Sequence, residues 1–259
     1  MSVSGEDAKD AVRRQYASVG DAYVKSAGHA TGSDLARMVA LAAPDPGDRM
    51  LDIATGGGHV ARAFAPHTGE IVASDLTPEI LGHAERAFAE WGLGNVSTAV
   101  ADAENLPFDD ASFDLVTCRI APHHFPDPAA FVQEVARVLR AGGRFALVDS
   151  TVPEGEDGAF FNRFEKLRDP SHVRSLTIGE WTALLEAAGF TVEAVESFAK
   201  RHDFADWTAR SRTSEDDRRE LANMLLNAPE DRQHMFGVEI ADGLVQGFTD
   251  TKTLFFARR

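Results

Sequence analysis

His123 and His124 stand side by side in the stretch Ile120-Ala121-Pro122-His123-His124-Phe125. An imidazole titrates close to neutral pH, so either histidine could take a proton from a hydroxyl or an acidic carbon during a reaction. Two acids, Asp75 and Asp102, close apolar runs that read as strands. A carboxylate there can accept hydrogen bonds from sugar hydroxyls or from the exocyclic amine of a base. The stretch Leu51-Asp52-Ile53-Ala54-Thr55-Gly56-Gly57-Gly58 reads as the end of a buried strand running into a glycine-rich turn that opens a helix. Without Cβ atoms such a turn lets a ligand approach the backbone, and the amides of the helix start point outward to meet it.

These residues need elements to hold them. Strands are expected at 49–54, 70–74, 96–101, 113–118 and 144–149, with helices between them. That alternation implies a parallel sheet covered on both faces. Thr77-Pro78 and Asp127-Pro128 read as helix starts, Thr177 to Glu180 as a capping box, and Gly142-Gly143 as a helix stop. Before the first strand, residues 6–27 have helical spacing, Gly32-Ser33 opens a second helix, and this preface should cross the mouth of the ligand cleft. After Ser150 the rhythm changes to a short helix at 160–168, a sixth strand at 190–198, a polar helical insertion at 206–235 and a last strand at 251–257. The whole reads as one domain: a helical cap (1–46), a ligand-binding core (47–150) and a C-terminal half with substrate-side insertions (151–259).

The 259 residues suffice for a sizeable core, and the net charge of −15 argues against a nucleic-acid surface or an anionic membrane partner. Cys118 is the only cysteine, so neither an internal disulfide nor a cysteine-based zinc site is expected. No apolar run approaches the about 20 residues that span a bilayer, and the acidic first residues are not a secretory signal, which together suggest a cytoplasmic protein. A small-molecule substrate is the expected partner, without nucleic acid or membrane insertion, and a homodimer stays open.

Gly56-Gly57-Gly58-His59-Val60-Ala61 also fits Gly-x-Gly-x-x-Ala, with Asp75 about 20 residues on. A nicotinamide dinucleotide and S-adenosylmethionine (AdoMet) both carry adenosine, and the pattern suits either. Asp102, placed to accept from an adenine amine, favours AdoMet, as does a chain that ends in two further strands after long insertions. Neither Tyr16 nor Tyr23 is followed four residues later by the lysine of a short-chain dehydrogenase. A protein that binds a ligand on this fold without catalysis is a third reading.

The ordered stretches from Leu51 to Gly58, Ala101-Asp102-Ala103-Glu104-Asn105-Leu106-Pro107-Phe108, Ser112-Phe113-Asp114-Leu115-Val116 and Arg137-Val138-Leu139-Arg140-Ala141-Gly142-Gly143 resemble the motifs of class I AdoMet-dependent methyltransferases, closest to the group containing the ubiquinone and menaquinone C-methyltransferases. The resemblance implies an α/β Rossmann-like fold of seven strands, with the last inserted antiparallel between the fifth and sixth, and methyl transfer from AdoMet. It implies that Asp52 and the loop of Ala54, Thr55, Gly56 and Gly58 hold the methionine half. Asp75 would take the ribose, Leu76 one adenine face, and Asp102 and Ala103 the adenine edge, with Arg119 at the loop after the fourth strand. The family keeps glycine where this chain has Ala54.

Methyl transfer is an in-line displacement in which the protein aligns the reactants and excludes water, with His123 or His124 as the base where one is needed. Substrate walls are expected from Tyr16, Tyr23 and His29 in the preface and from Phe160 and Phe164 in the insertion, where helical spacing suits core packing equally. Arg163, Arg168 and Arg174 would meet an anionic group or face water, and water is the simpler reading. No metal is expected from His29, His123, His124 and His172, since adjacent histidines seldom point the same way.

Overall fold

The computed structural model describes residues 5–17 and 32–259, with side chains for 5–15 and 32–259. Among the described residues eight strands form one sheet: β1 (Arg49–Ile53), β2 (Glu70–Asp75), β3 (Val96–Val100), β4 (Phe113–Arg119), β5 (Leu139–Thr151), β6 (Thr191–Asp203), β7 (Glu239–Ala241) and β8 (Leu244–Arg258). Their order is β3-β2-β1-β4-β5-β8-β6, with β7 paired to β8. The first five strands are parallel, and β8 runs antiparallel between β5 and β6, as the resemblance implied. The seven strands of this path are those expected, and β7, three residues long, is an addition at the side of β8. The eighth strand, β7, folds back through Asp242-Gly243, whose φ angles of 52° and 73° suit a tight two-residue hairpin turn.

Among the described residues the helices are α1 (Gly5–Ala17), α2 (Ser33–Ala42), α3 (His59–Phe64), α4 (Pro78–Glu90), α5 (Pro128–Val138), α6 (Gly155–Arg168), α7 (Ile178–Ala187), α8 (Phe204–Arg210), α9 (Glu215–Leu226) and α10 (Glu230–Met235). The two-residue period of the strands decides what each helix covers. Leu51 and Ile53 pack with Phe131 and Val135 of α5 and Trp181 and Leu185 of α7. Met50, one residue out of step, packs with Met38 of α2, Phe64 of α3 and Phe88 of α4. A third cluster joins α6, α8 and α9 to the first half of β8 through Phe161, Phe164, Trp207, Leu221 and Phe248.

Three strands are longer than their apolar cores suggest. β5 begins at Leu139, which pairs with Phe113; Gly142 lies inside the strand at φ 76°, beside a register shift, and does not stop α5. β6 and β8 form a ribbon in which Thr191 faces Arg258 and Asp203 faces Gly247. That extension carries Lys200, His202 and Asp250, polar residues outside the expected strands, beside Lys252 at the start of the expected last strand, and helices of the insertion cover them. The capping box at α7 forms as expected, with Thr177 N donating to Glu180 Oε2 at 2.9 Å and Glu180 N donating to Thr177 Oγ1 at 3.2 Å. At α2, which Gly32-Ser33 opens as expected, the cap residue is Gly32 and Ser33 is the first helical residue. Of the preface, Tyr23, His29 and the side chain of Tyr16 lie outside the described residues.

Candidate active site

The strands β1 to β4 end at a common edge, and a cavity of about 240 Å³ opens there. β1 leaves the sheet through Ala54, Gly56 and Gly58 at φ 54°, 53° and 78°. Ala54 occupies the left-handed region that an L side chain enters at a cost of about 1–2 kcal/mol. The turn is held in place beneath. Asp52 accepts from Thr55 Oγ1 at 2.7 Å and from Thr117 Oγ1 at 2.8 Å, and Thr55 N donates to Ser74 O at 2.9 Å. Burial pushes the Asp52 carboxyl up to about 6 against those bonds.

The structure divides the expected ligand set between the cavity wall and the layer behind it. Asp52, Thr55 and Gly58 do not border the cavity, whereas Ala54 and Gly56 do. Asp52 and Thr55 shape the turn from inside the protein. Gly58 is required by packing, because a Cβ there would lie 2.2 Å from Phe88 Cε1. Gly56 is open, with nothing within 4 Å of the same position. Arg119, the last residue of β4, is likewise off the wall; its Nε donates to Asp34 Oδ2 at 2.7 Å and ties α2 to the strand.

Asp75 borders the cavity, and burial raises its carboxyl to about 6. Its Oδ1 accepts from Thr77 N at 3.0 Å and its Oδ2 from Gly56 N at 3.1 Å, which fixes the carboxyl at the cavity wall as an acceptor for hydroxyls. Leu76, Ile80, Ala101 and Ala103 add apolar wall on either side. An adenosine fits these donors, acceptors and surfaces. Asp102 is also on the wall but engaged: its Oδ2 accepts from Lys9 Nζ at 2.6 Å, and Lys9 lies 2.7 Å from Glu104 Oε2. Through Lys9 and Val12, α1 crosses this end of the cavity, as the position of the preface predicted.

Past β4 the chain turns at Ile120, a β-branched residue at φ 55°, an outlier of the kind that stores strain at functional sites. The kink delivers a short helical turn, Pro122–His124, to the cavity. His123 Nδ1 lies 2.6 Å from Asp149 Oδ1 near the end of β5, and the second oxygen of that buried carboxyl has no partner. Burial pushes Asp149 up to about 7; burial, with His124 close by, holds His123 well below the usual imidazole range. His124 Nδ1 is 3.1 Å from Ser171 O, and His172 Nε2 is 2.9 Å from Asn162 Oδ1. The rings of His123 and His124 approach to 4.2 Å and those of His123 and His172 to 5.5 Å, so the adjacent histidines do converge, contrary to the expectation. Among the described residues no group of His, Cys, Asp and Glu is arranged to hold a metal.

Phe160 and Phe164 are not on the cavity wall. Both are buried in the third apolar cluster, Phe160 stacked on Phe236 and Phe164 on Trp207, which corrects their expected substrate role. One turn of helix further, Glu165 and Arg168 do reach the wall, so Arg168 does not simply face water. The remaining inner wall comes from residues that the apolar pattern passed over: Ser150, Lys200, His202, Trp207, Asp250 and Lys252. Their signal was the spacing of Lys200 with His202 and of Asp250 with Lys252, two apart and therefore on one face of a strand.

Residues 51–147 match a family described as a methyltransferase domain. YcgJ of Bacillus subtilis (strain 168), an uncharacterized methyltransferase, is 37% identical over 82% of this chain and 84% of its own length. The crystal structure of YcgJ superposes with a TM-score of 0.85 at 35% identity, over 87% of this chain and 97% of that one. A Bacillus halodurans C-125 protein described as a candidate methyltransferase is 42% identical, with a TM-score of 0.85 over 88% of this chain and 99% of its own. Among the described residues no helix is long and apolar enough to cross a membrane.

Proposed function

The chain belongs to the methyltransferase family, and from that premise we propose that it moves a methyl group from AdoMet to a small-molecule acceptor, with His123 taking the acceptor's proton. One observation carries this reading: a single cavity is bordered by the glycine turn and Asp75 at one end and by His123, paired with Asp149, further in. AdoMet, when bound, supplies a methyl group already activated on a sulfonium sulfur. The chain's own residues then have to bind, align and keep water out. Asp75 would take the ribose hydroxyls, with Gly56 leaving room beside it and Leu76, Ile80, Ala101 and Ala103 flanking the base. Asp102, already holding Lys9, would close this end over the adenine.

His123 with its Nδ1–H donated to Asp149 presents the lone pair of Nε2 on the opposite edge of the ring. As the acceptor's oxygen or carbon is methylated, His123 Nε2 would take the proton that atom gives up. Asp149 orients the ring and balances the imidazolium that results. The motif likeness to the quinone C-methyltransferases supports an acceptor whose nucleophile is a hydroxyl or the carbon beside one. Calorimetric titration with AdoMet and with NADH tests the reading. AdoMet is expected to bind, and Asp75→Ala to weaken it by about ten- to a hundredfold, as for loss of a charged hydrogen-bond acceptor. Tight NADH binding without AdoMet binding would overturn it.

A further inference from the structure

The wall of the cavity changes sign along its length. At the outer end, acids outnumber Lys9; at the inner end Arg168, Lys200 and Lys252 outnumber Glu165 and Asp250. A cationic lining in a chain of net charge −15 does not follow from composition. Both inner acids are engaged. Asp250 Oδ2 accepts from Lys252 Nζ at 2.7 Å and lies 3.0 Å from His202 Nε2, while Glu165 lies 3.2 Å from Arg168. Lys252 also donates to Ser150 Oγ at 2.5 Å.

Lys200 differs from these. It is half-buried on the cavity wall, and among the described residues it makes no hydrogen bond and no ion pair. Its register partner on β8 is Asp250, whose Oδ2 is shared by Lys252 and His202 and whose Oδ1 is buried without a hydrogen-bond partner. Burial, with Lys252 nearby, lowers the amine to about 8, which still leaves it mostly protonated at neutral pH. A half-buried ammonium that no carboxylate among the described residues contacts directly costs free energy that a bound anion would recover. Arg168, its guanidinium 4.6 Å above the ring of Trp207, adds a second fixed positive group to the same wall.

We propose that Lys200 anchors an anion subsite, so that the methyl acceptor carries a carboxylate or phosphate at the inner end of the cavity while its nucleophile faces His123. This rests on the methyltransferase reading of the pocket and names the substrate class. The full chain, with and without saturating S-adenosylhomocysteine, is titrated calorimetrically with benzoate, with inorganic phosphate and with neutral benzamide. At least one anion is expected to bind one-to-one and benzamide not. Lys200→Met should weaken the anion at least about tenfold, while Lys200→Arg should retain it. Stronger benzoate binding identifies a carboxylate, stronger phosphate binding a phosphate. Lys200→Gln repeats the test should the methionine variant not fold. No anion binding to the wild type, equal binding of benzamide, or affinity unchanged in Lys200→Met and Lys200→Gln overturns the subsite. Lysine-dependent anion binding without binding of S-adenosylhomocysteine would leave the subsite standing and count against the methyltransferase reading.

Discussion

Because burial raises the Asp149 carboxyl to about 7 and its Oδ1 sits 2.6 Å from His123 Nδ1, the two groups take up their next proton as a pair. The base-competent form is the one without that proton. As pH falls through about 7, the raised carboxyl fills first, and kcat/KM for methyl transfer should fall with it; above that range the profile should be flat. Asp149→Asn removes this titration. The fall should then move to lower pH, since burial keeps the imidazole alone below its ordinary value. His123→Ala should lower kcat by about a hundredfold. A His123→Ala enzyme with wild-type turnover across the pH range would end the base role. Much of this residue-level detail was legible beforehand, since His123, Asp75 and Gly56 stand out by type and position. The partnership with Asp149 was not, because the two residues are 26 apart in sequence and meet only where β4 and β5 lie side by side.

Elements decided which predicted side chains face the site. Helix α6 presents Phe160 and Phe164 to the third apolar cluster, and Glu165 and Arg168 to the cavity. The same helical spacing serves a core and a pocket wall equally, so the sequence pattern could not separate them. Phe164 stacks on Trp207 at 4.9 Å and meets Phe248 edge-on at 5.2 Å. Phe164→Ala should therefore cost about 3–5 kcal/mol, read as a lower urea midpoint. The folded protein should keep its affinity for S-adenosylhomocysteine, because the adenosine end is built by other elements. Unchanged stability would mean that α6 is not packed as described. The extension of β6 and β8 escaped the sequence reading for a related reason. Its polar residues alternate correctly for a strand, but only the covering helices α8 and α9 make a polar strand face an interior one.

At the scale of the whole molecule, ligand and fold are linked through the glycine turn and the sheet edge. A ligand that binds only the folded chain stabilises it by about 2.7 kcal/mol at a hundred times its Kd. For a chain of this size that corresponds to a rise in Tm of about 5–10 °C. Calorimetric melting with S-adenosylhomocysteine should show such a rise, and Asp75→Ala at the same ligand concentration should lose most of it. An equal shift in both proteins would remove Asp75 from the site. By itself the amino-acid sequence determined the alternation of strands and helices, the glycine turn, the acids at the strand ends and the histidines after β4. Those signals are local: periodicity, turn chemistry and position at the end of an apolar run act over a few residues. Tertiary structure alone decided that Asp52 and Thr55 brace the turn from below, that Gly58 makes room for Phe88, that Arg119 serves Asp34, and that Lys200 borders the cavity. Each of these depends on which strands are neighbours and which helix covers them, and pairing over long sequence separations leaves no mark in the local pattern.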